Sequence, residues 1–157
     1  MYRLTFGRVR AEWLSIKTQR METLYTATVS NVGGREGDVK SLDGILDLPL
    51  TRPVEMHGKG GAANPEMLFA AAYSACYNGA LMAVAEHRKV ILPEHAVEVS
   101  ISINKDGANM SLSGKITVKA PHMDHDQLQQ LAESAHAVCP YSKAVKGNMD
   151  MKIEVMV

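Results

Sequence analysis

One stretch limits the fold more than any other. Residues 65 to about 88, PEMLFAAAYSACYNGALMAVAEHR, are apolar on almost every helical face. Asn64 can cap the first turn, Pro65 suits the first helical position, and Glu66 puts an acid in the first turn. The run predicts a helix of roughly 36 Å. A helix that is apolar all round has no face to offer solvent, so it is expected to be buried on all sides at the centre of the domain. Gly79 weakens such a helix by about 1 kcal/mol relative to alanine, and its presence predicts close packing against another backbone.

The flanking sequence is mostly strand-like. Thr23 to Val32 and Val39 to Leu50 favour extended structure, the second broken at Asp43-Gly44. Gly33-Gly34-Arg35-Glu36-Gly37 between them is turn chemistry. Residues 51–64, TRPVEMHGKGGAAN, read as a loop. Residues 96–104 and 110–119 alternate with period two around Lys105-Asp106-Gly107-Ala108-Asn109, which predicts an antiparallel hairpin. Asp124 opens a second helix with the stripe Leu128, Leu131, Ala132, Ala135 and Val138. Residues 140–148 are a loop or short helix, and Met149 to Val157 alternates again as a closing strand. This order predicts an α+β fold with antiparallel sheets around the long helix and no βαβ rhythm.

Residues 21–157 are expected to form a single domain, since a chain of 157 residues can bury roughly 70% of its unfolded surface. Seventeen basic residues balance seventeen acidic ones, so the overall charge gives no electrostatic case for nucleic acid. No uninterrupted apolar run reaches about 18 residues, so no membrane-spanning helix is expected. Residues 1–20 stand apart. They hold five basic residues against the single acid Glu12, and are expected to be an N-terminal extension, with Met21 as the natural start. An Arg-rich, acid-poor leader also fits an organelle transit peptide.

Chemistry rests on few residues. The only cysteines are Cys76, inside the apolar helix, and Cys139, where Pro140 ends the second helix. Two cysteines in a chain of this size point to a reducing, cytoplasmic setting. Each has an inert reading as a small packing residue. Burial also raises a thiol's pKa, so a reactive Cys76 needs a cationic neighbour. The pair is too far apart in sequence for a CxxC motif, yet could meet in space with one attacking and one resolving. Zinc competes weakly: His136 with Cys139, and His122 with His125, do not supply a four-ligand set. HGKGGAAN lacks the Gly-Lys-Ser/Thr ending of a phosphate loop. Arg35, in its glycine-flanked turn, and Glu66, at a helix start, are the charged candidates. Each also reads as ordinary, a solvated turn residue and a capping acid. Glu66 and Cys76 lie about 15 Å apart along a straight helix, so joining them needs a bridging arginine or a second subunit.

Three blocks carry a resemblance: LYTATVSNVGGREG, NPEMLFAAAYSACYNGAL and AHAVCPYSKAVKGNMD. In order and spacing they resemble the organic hydroperoxide resistance (Ohr) proteins of the OsmC/Ohr superfamily, over Glu22 to Val157. Val145-Lys146-Gly147 departs from the Thr-Arg-Gly that such proteins normally show. The resemblance implies an OsmC-like fold and an intertwined homodimer with active sites at the subunit interface. It implies a thiol peroxidase that reduces alkyl and lipid hydroperoxides to alcohols. Cys76 would be peroxidatic and Cys139 resolving, Arg35 would hold the Cys76 thiolate, and Glu66 would orient Arg35. No bound cofactor is implied, and the reductant would be dihydrolipoamide or a lipoylated protein. Leu68, Phe69, Met67 and Tyr77 are candidates to line an apolar pocket, or simply core. Two other readings stay open: an OsmC-type osmotic and oxidative stress peroxidase, and a non-enzymatic binding module with inert cysteines. The VCPYS block and the short segment before the first strand favour Ohr.

Overall fold

A computed structural model describes residues 22–157. The basic leader, the transit-peptide expectation and Met21 lie outside the described residues. Three short strands form an antiparallel meander: β1 (Val29–Val32), β2 (Asp38–Ser41) and β3 (Asp47–Pro49). The expected strand from Thr23 begins only at Val29. Leu24 and Tyr25 ahead of it are exposed and find no partner strand among the described residues. The long helix, α1, runs Pro65–His87 and starts as expected. The Asn64 side chain accepts the Met67 backbone N–H at 2.9 Å, and Pro65 occupies the first turn.

A second sheet holds β4 (Ala96–Asp106), β5 (Asn109–Lys119) and β6 (Asp150–Met156), in that order. The β4–β5 hairpin is antiparallel, with Asp106 opposite Asn109. β6 runs parallel to β5, against the expectation of purely antiparallel sheets. The cause is the connection: α2 (His125–Val138) and α3 (Pro140–Val145) carry the chain back across the sheet, so β5, the helices and β6 form a crossover unit. The core is the layer between sheet and helices. It joins Tyr73, Tyr77, Leu81 and Ala85 of α1, Ile116 and Val118 of β5, and Leu128, Leu131, Ala132 and Ala135 of α2.

α1 corrects a second expectation. Its fully buried residues recur every four positions and make one stripe. The opposite side, Ala71, Ala72, Ala75, Gly79, Met82 and Ala83, is exposed within the chain. A Cβ on Gly79 would meet open space, so the close backbone approach predicted there does not occur within one chain. By length and mean hydropathy α1 could cross a bilayer, although polar residues interrupt its apolar run. Its stripe of tyrosines, leucine and alanine is the domain core, and Asn78 on the same helix bonds His95 of the loop before β4. α1 is therefore the core helix of a folded domain. The meander packs chiefly on itself, and its turn reaches α1 through an ion pair between Arg35 and Glu66.

Candidate active site

Arg35 is presented by a tight glycine-built turn. Gly33 takes a left-handed φ of 82°, and a Cβ on Gly37 would lie 1.7 Å from the Val32 carbonyl oxygen, so no side chain fits there. Asn31 braces the turn by donating from Nδ2 to the Gly34 and Asp38 carbonyls, at 3.1 and 2.9 Å. The guanidinium then grips Glu66 with both arms, Nη1 to Oε2 at 2.8 Å and Nη2 to Oε1 at 2.6 Å. The hydrogen bonds from Arg35 hold the Glu66 carboxyl below its usual range, and burial opposes them only in part. Glu36, next in the turn, accepts from the backbone N–H and Nε of Arg52, pinning the 51–64 loop to the Arg35 turn.

The two cysteines meet. Cys139 Sγ lies 3.6 Å from Cys76 Sγ, in hydrogen-bonding contact across 63 positions of sequence. Both are free thiols, Cys139 fully buried and Cys76 half-buried. Cys139 caps α2 and leads into α3. Its N–H bonds the Ala135 carbonyl at 2.8 Å, and its own carbonyl accepts from Lys143 at 3.0 Å. On α1, two buried phenols bracket Cys76. Tyr73 donates to Ser142 Oγ at 2.9 Å and Tyr77 to the Ala132 carbonyl at 2.6 Å, which fixes α1 against α3 and α2. Burial pushes the Cys76 thiol up, with the backbone N–H of Tyr141 pulling it down and Cys139 raising it.

The four candidates thus fall into two pairs, Arg35 with Glu66 and Cys76 with Cys139. The structure does not bring the pairs into contact within one chain. Both guanidinium arms lie on Glu66, and among the described residues no charged nitrogen hydrogen-bonds the Cys76 sulfur. What links them is apolar. A cavity of about 410 Å³ runs beside Arg35 and Glu66, lined by Phe69, Ile103, Met110 and Leu112. A second, of about 400 Å³, shares Phe69, Met110, Ser111 and Leu112 and extends to Val145 and Met149. Phe69 stacks obliquely on Tyr73 and Tyr141, 6.0 and 6.1 Å between ring centres, and Tyr141 lies two residues past Cys139. The two cavities form one apolar trough that meets at Phe69, and among the described residues Phe69 is its only link to the aromatic group beside the thiols, since neither cysteine lines either cavity.

Of the expected pocket residues, Phe69 lines this trough and Met67 lines a neighbouring cavity that also touches Glu66. Leu68 lines a cavity on the far side of Arg35. Tyr77 is fully buried core and lines none of these. Sequence reading missed Asn31, Ile103, Met110 and Leu112. The signal for Ile103 and Leu112 was present. Val97, Val99, Ile101 and Ile103 face Val118, Ile116, Gly114 and Leu112 across the hairpin, an apolar face longer than the core requires. Among the described residues no three His, Cys, Asp or Glu side chains converge to hold a metal. His136 Nδ1 is buried without a partner, and burial, followed by Lys146, pushes that imidazole toward its neutral form.

The family model for OsmC-like proteins matches residues 58–154. The organic hydroperoxide resistance protein OhrA of Bacillus subtilis is 44% identical over 138 residues, covering 85% of this chain and 97% of that protein. This chain belongs to the OsmC/Ohr family. The organic hydroperoxide resistance protein of Xanthomonas axonopodis pv. citri is 42% identical over 134 residues, 84% of this chain and 94% of its own length. Among solved structures, an organic hydroperoxide resistance protein OsmC from Legionella pneumophila superposes with a TM-score of 0.82 at 37% identity. It covers 87% of this chain and is itself matched in full. The mixed helix-and-sheet architecture is thus that of the OsmC/Ohr family.

Proposed function

We propose that this OsmC/Ohr-family protein is a cysteine-based peroxidase that reduces organic hydroperoxides to alcohols. The observation that carries the reading is the 3.6 Å approach of Cys139 Sγ to Cys76 Sγ. Cys76 attacks the terminal peroxide oxygen as thiolate. The O–O bond breaks, the alkoxide leaves and takes up a proton from solvent to become the alcohol, and Cys76 becomes a sulfenic acid. The Cys139 thiol condenses with it, releasing water and forming a Cys76–Cys139 disulfide. That bond needs the sulfurs to close to about 2.05 Å, a short step for groups already in contact. A dihydrolipoyl protein then restores both thiols. No bound cofactor or metal takes part in this scheme.

The thiolate needs a cation. Arg35 is fit for the role because its planar fork can keep Glu66 on one edge and meet sulfur or peroxide with the rest. We infer that a second copy of the chain supplies the contact, Arg35 of one protomer reaching Cys76 of the other in an intertwined homodimer. The exposed apolar side of α1 and the exposed Val32, Leu42 and Ile45 of the meander support this, being surfaces a lone chain leaves uncovered. The apolar trough favours alkyl and lipid chains over hydrogen peroxide. The thiol chemistry fits a reducing compartment such as the cytoplasm.

Free-thiol counting tests the reading. One equivalent of cumene hydroperoxide should remove both thiols rapidly, and dihydrolipoamide should restore them. Cys76→Ser should abolish turnover, while Cys139→Ser should permit one oxidation and then stall. Two thiols that persist over minutes would make both cysteines packing residues and favour the binding-module reading.

A further inference from the structure

The chain holds ten methionines in 157 residues, and their placement is uneven. Met110 and Met149 line the trough, and Met56 and Met67 line the adjoining cavity at Glu66. Met110 is common to both halves of the trough and is 52% exposed. A thioether is itself a nucleophile toward peroxides. In the trough it lies where an apolar hydroperoxide would accumulate beside Arg35, the group suited to polarise an O–O bond.

We propose that Met110 is a modification site, oxidised to the sulfoxide by organic hydroperoxide bound in the trough. The inference rests on the reading that the trough receives that substrate. In the step, the Met110 sulfur attacks the terminal peroxide oxygen. An S–O bond forms, the O–O bond breaks, and the terminal proton passes to the departing alkoxide, giving the alcohol. Sulfur is oxidised by two electrons and the peroxide is reduced by two, so no further reagent is needed. The product replaces an apolar wall with a polar S=O beside Phe69 and Leu112. Bound alkyl chains lose apolar contact, so prolonged peroxide exposure lowers the site's preference for them. Methionine sulfoxide reductases are the class of enzyme that would reverse it.

Met156 is the internal control. It is 54% exposed, as open as Met110, and lines neither half of the trough. Cys76→Ser protein is treated with cumene hydroperoxide or with hydrogen peroxide, and peptide mapping reads the added oxygen at each methionine. Hydrogen peroxide reports accessibility alone. The ratio of Met110 to Met156 oxidation is expected to be at least about fivefold higher with cumene hydroperoxide. The quotient of the two ratios cancels any difference in cover. Wild-type protein without reductant gives the same comparison on the native sequence, so a misfolded variant cannot decide the result. Equal ratios for the two oxidants overturn the proposal. Peroxide turnover by wild-type protein with dihydrolipoamide is assayed alongside. Turnover with equal ratios sinks the Met110 assignment alone, whereas a raised ratio without turnover keeps Met110 and sinks the peroxidase reading.

Discussion

Glu66 meets Arg35 through both carboxylate oxygens, so an amide in its place keeps the shape and loses the charge. The folded Glu66 carboxyl lies below its ordinary range because Arg35 donates to it. A lowered carboxyl pKa contributes stability above the unfolded value of about 4.3 and loses it as pH falls through the folded value. Arg35 is 36% exposed, so solvent screening limits the sum, and Glu66→Gln should cost about 1 kcal/mol near neutral pH. Thermal melts of wild type and variant across pH check this. The gap should narrow on acidification below the carboxylate range, as Glu66 itself takes up a proton in the wild type. A gap that stays constant down to the acid limit would mean that the pair stabilises by shape alone. Catalysis should suffer more than stability, because Glu66 also sets which way the guanidinium faces.

The next scale is the element, where α1 is bolted to its neighbours by phenols. Tyr73→Phe removes the donor to Ser142 and leaves a buried hydroxyl without its partner. The expected loss is about 1–2 kcal/mol, read by denaturant unfolding. The same bond sets α3 against α1 and so sets Cys139 against Cys76. Disulfide formation after a peroxide pulse should therefore slow, with the first oxidation of Cys76 unaffected; a change confined to the melt would make Tyr73 structural only. The ends of these elements were plain in the sequence. Asn64 with Pro65, and Asp124 with its 2.9 Å bond to the Gln127 N–H, are local devices that need no knowledge of the fold. Strand direction was not plain. A period of two reads the same forwards and backwards, so β6 could be assigned as a strand but not as parallel to β5. The four site residues were legible as candidates, from residue type and the family blocks. Their pairing, Arg35 with Glu66 and Cys76 with Cys139, was legible only through the family resemblance, because residue type and spacing leave partners 31 and 63 positions apart unjoined. The trough escaped because Met110 and Leu112 read as ordinary strand residues until Phe69 is laid beside them.

At the scale of the whole molecule, the all-round apolarity of α1 and its one-sided burial pull apart. The pattern predicts enclosure, whereas the single chain encloses only the stripe from Tyr73 to Ala85. Small residues at Ala71, Ala75 and Gly79 leave that uncovered side flat enough for close helix contact, and a second copy would supply what the pattern demands. The same association would solve the electrostatic problem at Cys76. Within one chain burial pushes that thiol up, and among the described residues no charged nitrogen hydrogen-bonds its sulfur. A charge placed on the open side, away from the thiol, tests both ideas together. Ala83→Arg adds a long cation facing outward from the buried stripe and about two turns from Cys76, so the monomer fold should survive. Light scattering should find dimeric wild type and monomeric variant. Iodoacetamide trapping of Cys76 across pH should place the wild-type thiolate lower, with the variant reacting about tenfold more slowly at neutral pH because its thiolate fraction falls. A monomer that keeps the wild-type alkylation profile would show that Arg35 reaches Cys76 within its own chain, through a turn of the 33–37 loop, and that dimerisation serves burial alone.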